Sequence, residues 1–575
     1  MNPKVQLPAM TLILLSMQFP VSSRIRINMM KRTAAFVNPA ALSNAALSFR
    51  TIGANANRCE ASMPFQVALL PSSKRSFSRM AFQTPHSELP RVARGSPTGV
   101  ATYSNSQMRF SASSSLSPQQ VTNVQPHFRK VLIANRGEIS IRVARTCRRL
   151  GIPTVAVYVS NDSGSKHITE ADEAVCLGSC GAAYTDLNAI LDAIKATGAD
   201  AVHPGYGFLS ENADFANAVQ ELKLERKSEG TPRTVQWLGP PGQAIVDMGC
   251  KLRSKEIAKE AGVAIIAGCN DGALDSIEQA LALMDSNSNS GLKYPVLLKA
   301  AAGGGGKGMR VCRNDRELIE GYPLAKSEGL KFFADGRLLL EQYLEDPHHI
   351  EFQVICSKRE AENNGEPSID VAIFAERECS VQRRNQKVVE ESPSCLLTEE
   401  TRLQMMEQTA LLCQEVGYEG AGTVEWLVVD DNNGKGDSQA QKFFFLEMNT
   451  RLQVEHPVTE AVSYNVDLVE AMLEVGSGRG LPKEWYERAT IVETSNNNDG
   501  KMLVMPWKGH SIEGRIYAED PLRGYLPSTG PLIPYKEPKQ ARSVDDGNQT
   551  NNNEFKSSPS YLRLDSGVVE GHVGT

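Results

Sequence analysis

The chain has 575 residues, room for three or four domains of ordinary size, which excludes a small module held together by disulfides. Hydrophobic residues at 41%, charged residues at 22% and a mean hydropathy of -0.30 exclude a polytopic membrane protein. Residues 1–128 carry a net charge of +11 and the other 447 residues -17, so the body lacks the basic stripe that nucleic-acid binding needs. We therefore expect no nucleic-acid and no membrane partner.

The leader, residues 1–128, is rich in arginine and serine, nearly free of acidic residues, and interrupted by proline. This composition is typical of an organellar transit peptide, so we predict import into the mitochondrial matrix, with a plastid as the alternative. A disordered tail is a second interpretation. The apolar run TLILLSM (11–17) also allows a secretory signal, but it is too short to cross a bilayer.

Helical and strand patterns alternate after the leader. KVLIAN (130–135) and TVAVYVS (154–160) are predicted strands on either side of a helix over 138–151, and a helix over 186–198 precedes a strand in ADAVHPG (199–205). The alternation predicts an α/β fold with an open parallel sheet whose loops line a ligand crevice. The loop after the first strand is NRGE rather than GxGxxG, which argues against NAD.

A glycine-rich segment lies in YPVLLKAAAGGGGKGMRV (294–311), where Lys299 ends a predicted strand and Gly303–Gly306 precede Lys307. Glycines let backbone N–H groups approach an anion closely, and the lysines supply positive charge. The segment therefore predicts a loop that covers phosphates, with a flexible hinge as the alternative. Gly308 and Met309 follow Lys307, which excludes a Walker loop.

Two predicted strands bring carboxylates among apolar residues. In TVEWLVV (423–429) alternation places Glu425 on the face opposite Trp426. In FFFLEMNTR (443–451) it places Glu447, Asn449 and Arg451 on one face and Phe444, Leu446 and Met448 on the other. Buried carboxylates need a compensating cation, so a hairpin across the polar loop 430–441 would form an oxygen site suited to Mg²⁺. Salt-bridged carboxylates without a metal are the alternative.

The segment RLQVEHP (451–457) places a guanidinium, an amide and a carboxylate beside this predicted metal site. The planar fork of Arg451 can hold a small oxyanion by two hydrogen bonds. Glu455, near a bound acid and a metal, is suited to accept a proton. A structural ion pair is the alternative interpretation.

Several motifs resemble those of biotin carboxylases in the ATP-grasp superfamily: KVLIANRGEIS (130–140), HPGYGFLSEN (203–212), KAAAGGGGKGMR (299–310), EQYLEDPHHIEFQV (341–354), ECSVQRRNQKVVEESPS (378–394), FLEMNTRLQVEHPVTE (445–460) and EGRIYAEDP (513–521). The resemblance extends from about 129 to 575. It implies a Rossmann-like N-terminal biotin carboxylase domain over 129–245, an ATP-grasp domain over 246–475 and an incomplete C-terminal biotin carboxylase domain over 476–575. The incomplete domain leads us to expect unpaired strand edges near Arg515.

The resemblance also implies an activity. Biotin carboxylases are ligases that form a carbon–nitrogen bond, carboxylating biotin with ATP and bicarbonate through carboxyphosphate. The motifs are most similar to the alpha subunits of propionyl-CoA carboxylases. The corresponding parts of methylcrotonoyl-CoA, acetyl-CoA and pyruvate carboxylases are alternatives, as are another ATP-grasp ligase and a non-catalytic nucleotide-binding subunit.

The same resemblance implies cofactors and partners. The cofactors are ATP, Mg²⁺ or Mn²⁺, and biotin carried on a domain absent from this chain, since no Met-Lys-Met tripeptide occurs. The partners are bicarbonate, a biotinylated carrier domain and a carboxyltransferase (beta) subunit, in an oligomer.

Site residues follow from the resemblance position by position. The implied ATP-binding residues are Lys251, Lys299, Gly303, Gly304, Gly305, Gly306, Lys307, Gly308, Glu341, Gln342, Leu344, His349 and Gln382. The implied metal ligands are Glu425 and Glu447, with Asn449 beside them. The implied bicarbonate site consists of Lys387, Arg451, Gln453 and the Val454 backbone, with Glu455 as the base and Arg515 stabilising the biotin enolate.

Overall fold

The structure is a computed structural model that describes residues 12–19, 128–224, 232–269, 272–285, 290–301, 308–360, 367–430, 441–464, 466–494, 500–538, 541–542 and 562–574. The first element is strand β1 (Leu12–Phe19). It lies within the predicted leader. No helix in these ranges has both the length and the hydropathy that crossing a bilayer requires.

Residues 128–249 form a parallel α/β layer. Its strands are β2 (Val131–Ile133), β3 (Thr154–Val159), β4 (Glu173–Gly178), β5 (Ala201–His203), β6 (Lys223–Leu224), β7 (Arg233–Thr234) and β8 (Gln236–Trp237). Its helices are α1 (Gly137–Arg149), α2 (Lys166–Thr169), α3 (Leu187–Thr197), α4 (Ala213–Glu221) and α5 (Gly242–Gly249). The parallel order β4-β3-β2-β5-β8 confirms the predicted open sheet, while β6 and β7 form a separate antiparallel pair.

Local sequence signals explain the helix ends in this layer. The Asp186 side chain accepts hydrogen bonds from the backbone N–H groups of Asn188 and Ala189, which caps the start of α3. Gly198 ends the helix with a φ of 67°, a left-handed conformation that glycine adopts without steric cost.

The chain from 251 to 488 holds seven described helices: α6 (Lys251–Glu260), α7 (Ile277–Met284), α8 (Asp315–Phe333), α9 (Glu399–Val416), α10 (His456–Val462), α11 (Leu468–Gly476) and α12 (Lys483–Arg488). Its strands are β9 (Val296–Ala300), β10 (Met309–Cys312), β11 (Leu338–Gln342), β12 (His348–Arg359), β13 (Ser368–Ile373), β14 (Arg377–Arg383), β15 (Gln386–Ser392), β16 (Gly420–Asp430) and β17 (Gln441–Asn449). The small antiparallel sheet β10-β9-β11 packs against α8 around its own core, which includes Leu298, Leu318 and Leu340.

The remaining strands are β18 (Thr490–Glu493), β19 (Lys501–Val504), β20 (His510–Tyr517), β21 (Glu519–Asp520), β22 (Leu526–Pro527), β23 (Gly530–Pro531), β24 (Ala541–Arg542), β25 (Leu562–Ser566) and β26 (Val573–Gly574). A large sheet runs β18-β19-β13-β12-β14-β15-β20-β1-β25-β24, with β16 and β17 joined to it through β12. β20 is paired on both edges, by β15 and by β1, so the unpaired edge expected beside Arg515 is not observed.

Strands β16 and β17 form the predicted hairpin, but the hairpin contains a bulge that was not predicted. Glu425 lies directly opposite Glu447 and Thr423 opposite Asn449, as the predicted hairpin requires. A β-bulge follows Glu425, where Trp426 pairs with Phe445. The bulge leaves Leu446 without an opposite residue and shifts the alternation by one position.

The bulge corrects one prediction about this strand. Phe443, Phe445 and Met448 pack in the core beside Trp426, rather than Phe444, Leu446 and Met448. Leu446 instead lines a cavity next to Glu447. The extra residue reverses the face of every side chain on the N-terminal side of the bulge, which simple alternation cannot predict.

Candidate active site

The predicted site residues converge on one cavity of about 1010 Å³. They come from several elements: α6, β9, β11, β12, β14, β15, β16, β17, β20 and the segment 450–455. The residues of the prediction that line it are Lys251, Lys299, Glu341, Gln342, Leu344, His349, Gln382, Lys387, Glu425, Glu447, Asn449, Arg451, Gln453, Val454, Glu455 and Arg515. Gly303, Gly304, Gly305, Gly306 and Lys307 lie outside the described residues. Gly308 is described but does not line the cavity.

Lys387 lies at the centre of a cluster of carboxylates. Its Nζ donates hydrogen bonds to Glu425 Oε1 at 2.9 Å and to Glu455 Oε1 at 2.7 Å, and it also contacts Glu351. Burial opposes the ammonium charge, but the three carboxylates outweigh burial and hold the pKa of Lys387 well above its usual value. Lys387 is therefore a fixed positive charge in the cavity wall.

Glu455 is held between two cations. Its Oε1 accepts from Lys387, and its Oε2 accepts from Arg515 Nη2 at 2.9 Å. Burial alone would raise its pKa, but Lys387, Arg515 and the more distant Arg377 lower it well below the usual range. The Glu455 side chain is consequently an ionised carboxylate in a buried site.

Arg377 lies next to this cluster and holds its members by hydrogen bonds. Its side chain is fully buried, with Nε 2.6 Å from Glu351 Oε1 and Nη1 donating to Thr459 Oγ1 at 2.8 Å. Arg377 also donates to Gln453, whose Nε2 in turn donates to Glu425 Oε1 at 2.9 Å. This chain of hydrogen bonds fixes the amide of Gln453 against the carboxylates.

Glu425 and Glu447 lie opposite each other on neighbouring strands and present two carboxylates to the cavity. Burial and the charge of Glu425 raise the pKa of Glu447, so the two negative charges are not fully compensated by protein groups. Within the described residues the Glu447 carboxylate accepts no hydrogen bond and forms no ion pair. Its oxygens are therefore available, and a carboxylate directly across the hairpin from Glu425 fits a hard cation such as Mg²⁺.

The neighbours of Glu425 orient it. Asn449 Nδ2 donates to Glu425 Oε1 at 2.7 Å, and His349 Nε2 lies 2.8 Å from Glu425 Oε2. The Asn449 Oδ1 accepts from Arg451 Nη2 at 3.2 Å. The side-chain oxygen of Asn449 is thus engaged by Arg451, and its amide orients Glu425.

Two lysines hold Glu341 on β11. Lys299 Nζ lies 2.6 Å from Glu341 Oε2, and Lys255 contacts the other oxygen. Burial raises the pKa of Glu341, but the charges of Lys299 and Lys255 outweigh it and lower the pKa below the usual value. Lys251, at the start of α6, lines the same part of the cavity, and burial lowers the pKa of its ammonium. This end of the cavity therefore concentrates positive charge.

Sequence reasoning missed several charged residues of the site. Lys255, Glu351 and Arg377 form part of the networks above, and Glu390 and Glu513 are fully buried next to Arg515. The available signal was a charged residue inside an apolar strand pattern, as in VVEES around Glu390. That signal does not say which face of the strand the residue occupies.

Comparison with known proteins decides the family. The family described as biotin carboxylase, N-terminal domain, matches residues 127–245, and the carbamoyl-phosphate synthase L chain ATP-binding domain matches residues 251–484. The 2-oxoglutarate carboxylase small subunit of Hydrogenobacter thermophilus is 42% identical over 72% of this chain and 76% of its own length. The chain belongs to the biotin carboxylase family. The predicted family and fold class are confirmed.

Longer proteins are similar to this biotin carboxylase too. The mitochondrial propionyl-CoA carboxylase alpha chain of Caenorhabditis elegans is 44% identical over 78% of this chain and 52% of its own length. The mitochondrial human protein of the same name is 43% identical over 72% of this chain and 50% of its length. The chain thus spans about half the length of these relatives.

Solved structures have the same fold. The biotin carboxylase domain dimer of H. thermophilus 2-oxoglutarate carboxylase, in complex with MgADP, ADP and bicarbonate, is 40% identical, covers 72% of this chain and 79% of that one, and has a TM-score of 0.58. The biotin carboxylase–beta-gamma-ATP complex from Campylobacter jejuni is 38% identical, covers 72% and 80%, and has a TM-score of 0.59. These neighbours hold the nucleotide, magnesium and bicarbonate that the sequence predicted as ligands of this family.

Proposed function

We propose that this chain carboxylates biotin with ATP and bicarbonate, as the biotin carboxylase component of an acyl-CoA carboxylase. The observation that supports it best is the ionised Glu455, held between Lys387 at 2.7 Å and Arg515 at 2.9 Å in the wall of a large cavity. A buried carboxylate with two cations is suited to receive a proton from a small acidic substrate bound beside it.

The roles of the other residues follow from charge and position. Lys251, Lys299 and the glycine loop would hold the ATP phosphates, with Glu341, Gln342, Leu344, His349 and Gln382 around the rest of the nucleotide. Glu425 and Glu447, with Asn449, would hold Mg²⁺, which supplies charge compensation for the phosphoryl group in transfer. Lys387, Arg451, Gln453 and the Val454 backbone would bind bicarbonate.

The base is expected to be weak because its pKa is depressed. The same cations that depress it also stabilise the dianion formed when bicarbonate loses its proton, so proton transfer to Glu455 is not opposed by their charge. The deprotonated bicarbonate attacks the γ-phosphate of ATP and gives carboxyphosphate and ADP. Carboxyphosphate then breaks into CO₂ and phosphate, phosphate takes the N1′ proton of biotin, and the resulting enolate, paired with Arg515, attacks CO₂.

The physiological acceptor is proposed from similarity. The relatives named propionyl-CoA carboxylase alpha chain suggest a propionyl-CoA carboxylase, with a biotinylated carrier domain and a carboxyltransferase subunit as partners. The 2-oxoglutarate carboxylase subunit is the second candidate, because it is 42% identical. The arginine-rich leader and the mitochondrial names of several relatives support the mitochondrial matrix as the location.

We also propose that the chain after the leader is divided into three domains, with boundaries at 129–245, 246–475 and 476–575.

The test is phosphate release by the full chain with ATP, Mg²⁺, bicarbonate and free biotin. We expect release to require both bicarbonate and biotin, and Glu455→Gln to abolish it. The matched control is Glu484→Gln, which changes an exposed glutamate on α12. Phosphate release that does not depend on biotin would indicate another ATP-grasp ligase. ATP binding without phosphate release would indicate a non-catalytic subunit.

A further inference from the structure

Two glutamates that the proposed reaction does not use are buried behind Arg515. Glu390 on β15 and Glu513 on β20 are direct cross-strand partners, and both side chains are fully buried. Among the described side chains, neither Glu513 oxygen has a hydrogen-bond partner. Burying two adjacent carboxylates in one place is costly unless at least one of them is protonated.

Arg515 connects this pair to the proposed base. Its Nη2 lies 2.5 Å from Glu390 Oε1 and 2.9 Å from Glu455 Oε2, so one guanidinium nitrogen bridges the two carboxylates. Burial raises the pKa of Glu390 to about 7 and, together with the charge of Glu390, raises that of Glu513 well above its usual value. Glu513 is thus the protonated member, and Glu390 is the member that titrates near neutral pH.

Among the described residues, Arg515 and, to a smaller extent, Lys387 are the cations that favour an ionised Glu390. The ionisable groups on the elements packed against it are Lys387, Cys379, Arg515, Tyr517, Glu455, His456, Glu460, Arg563, Asp565 and Tyr206. Lys387 is held by Glu351, Glu425 and Glu455, and Arg563 by Glu460 and Asp565. The neighbouring strand β1 contains no ionisable residue.

The proposed reaction changes the charge of one of the two anchors. When Glu455 accepts a proton from bicarbonate, its attraction for Arg515 falls, at the stage before Arg515 is needed by the biotin enolate. An ionised Glu390 keeps the guanidinium in place during that interval. We infer that Glu390 is a positioning residue, which in its ionised form holds Arg515 in place for biotin.

This inference rests on the proposed function and predicts a particular pH profile. Glu390 contributes only when ionised, so kcat/KM for biotin should rise as pH increases through about 7. Glu390→Gln keeps the shape of the side chain but removes its charge. It should lower kcat/KM for biotin roughly 10- to 100-fold above pH 7 and remove this rise, with KM for ATP and bicarbonate changed less than about two-fold.

Glu513→Gln separates the two members of the pair. The glutamine keeps position 513 neutral at every pH while Glu390 and its contact with Arg515 remain, so the rise should persist. Glu484→Gln, on the exposed face of α12, is the matched control and should leave the profile unchanged. ATP binding by each variant, measured by titration calorimetry on the full chain, shows whether the fold is retained.

A second measurement does not depend on turnover. Infrared difference titration of the full chain should show the C=O stretch of a protonated carboxyl that is lost near pH 7 in the wild type and is missing in Glu390→Gln. A Glu390→Gln profile equal to that of the wild type would overturn the positioning role while the proposed function stands. Wild-type protein that shows the infrared titration but releases no phosphate with biotin would overturn the proposed function and this role with it.

Discussion

Replacing Lys387 by methionine tests the electrostatic centre of the site. Lys387 Nζ lies within 2.9 Å of Glu425 and Glu455 and contacts Glu351, and the three carboxylate side chains are at most 5% exposed. Methionine keeps much of the volume but leaves these carboxylates with one fewer cation. Breaking a buried ion pair by removing one partner costs about 3–5 kcal/mol of folding free energy, because the remaining charge stays buried and uncompensated.

The pH dependence of this loss has a defined sign. In the wild type the pKa of Glu455 is depressed below its usual 4.5, so Glu455 stabilises the folded protein above that pH, and the contribution is lost as the pH falls through the folded-state pKa. Without Lys387 the pKa of Glu455 rises, because its largest favourable charge contribution is removed. The stability difference between wild type and Lys387→Met should therefore be complete above about pH 5 and shrink as the pH falls below the usual 4.5 of a glutamate.

Urea unfolding, followed by the fluorescence of the buried Trp426 and the other tryptophans, measures this difference in buffers across that range. Lys483→Met is the control, since Lys483 is exposed at the start of α12 and loses the same charge. A Lys387→Met protein as stable as the control at pH 8, or a stability difference that grows on acidification, would refute the reasoning. It would mean that the carboxylates are compensated without Lys387.

Three further outcomes are expected. Glu447→Gln should fold normally but abolish biotin-dependent phosphate release, because one charge of the proposed metal pair is lost; near-normal turnover at saturating Mg²⁺ would show that the metal assignment is wrong. Arg451→Lys should weaken bicarbonate binding far more than ATP binding, since a lysine lacks the planar fork, and equal losses in parallel titrations would contradict the assigned role. Residues 1–128 fused to a fluorescent reporter should direct it to mitochondria in microscopy, whereas a secreted or cytosolic reporter would exclude that location.

Local sequence patterns predicted much of the secondary structure. The strands around 131–133, 154–159 and 201–203 and the helix from Leu187 to Thr197 follow from apolar periodicity and from capping by Asp186 and Gly198. These signals depend only on residues that are close in sequence, so they can be recognised without the tertiary structure. The pairing of Glu425 with Glu447 was also predictable, because two alternating strands joined by a polar loop form a hairpin.

The bulge after Glu425 and the edge pairing of β20 were not predictable in this way. A bulge depends on how the whole hairpin packs on the core, and here it moves Phe445 inward and Leu446 towards the cavity. The backbone of β1 pairs with a strand almost 500 residues further along the chain, and no local pattern in the leader indicates that partner.

The amino-acid sequence by itself determined which chemical groups the site contains: a lysine- and glycine-rich loop, paired glutamates, and an arginine close to a glutamate. Tertiary structure decided which charges touch. Lys387 and Glu455 are 68 residues apart and Arg515 and Glu455 are 60, yet both pairs are in hydrogen-bond contact. The electrostatic energy of a buried charge depends on its distance to other charges and on its exclusion from water, and only the folded arrangement sets both. That is why the ionised state of Glu455 and the raised pKa of Glu390 became visible only once the strands were in place.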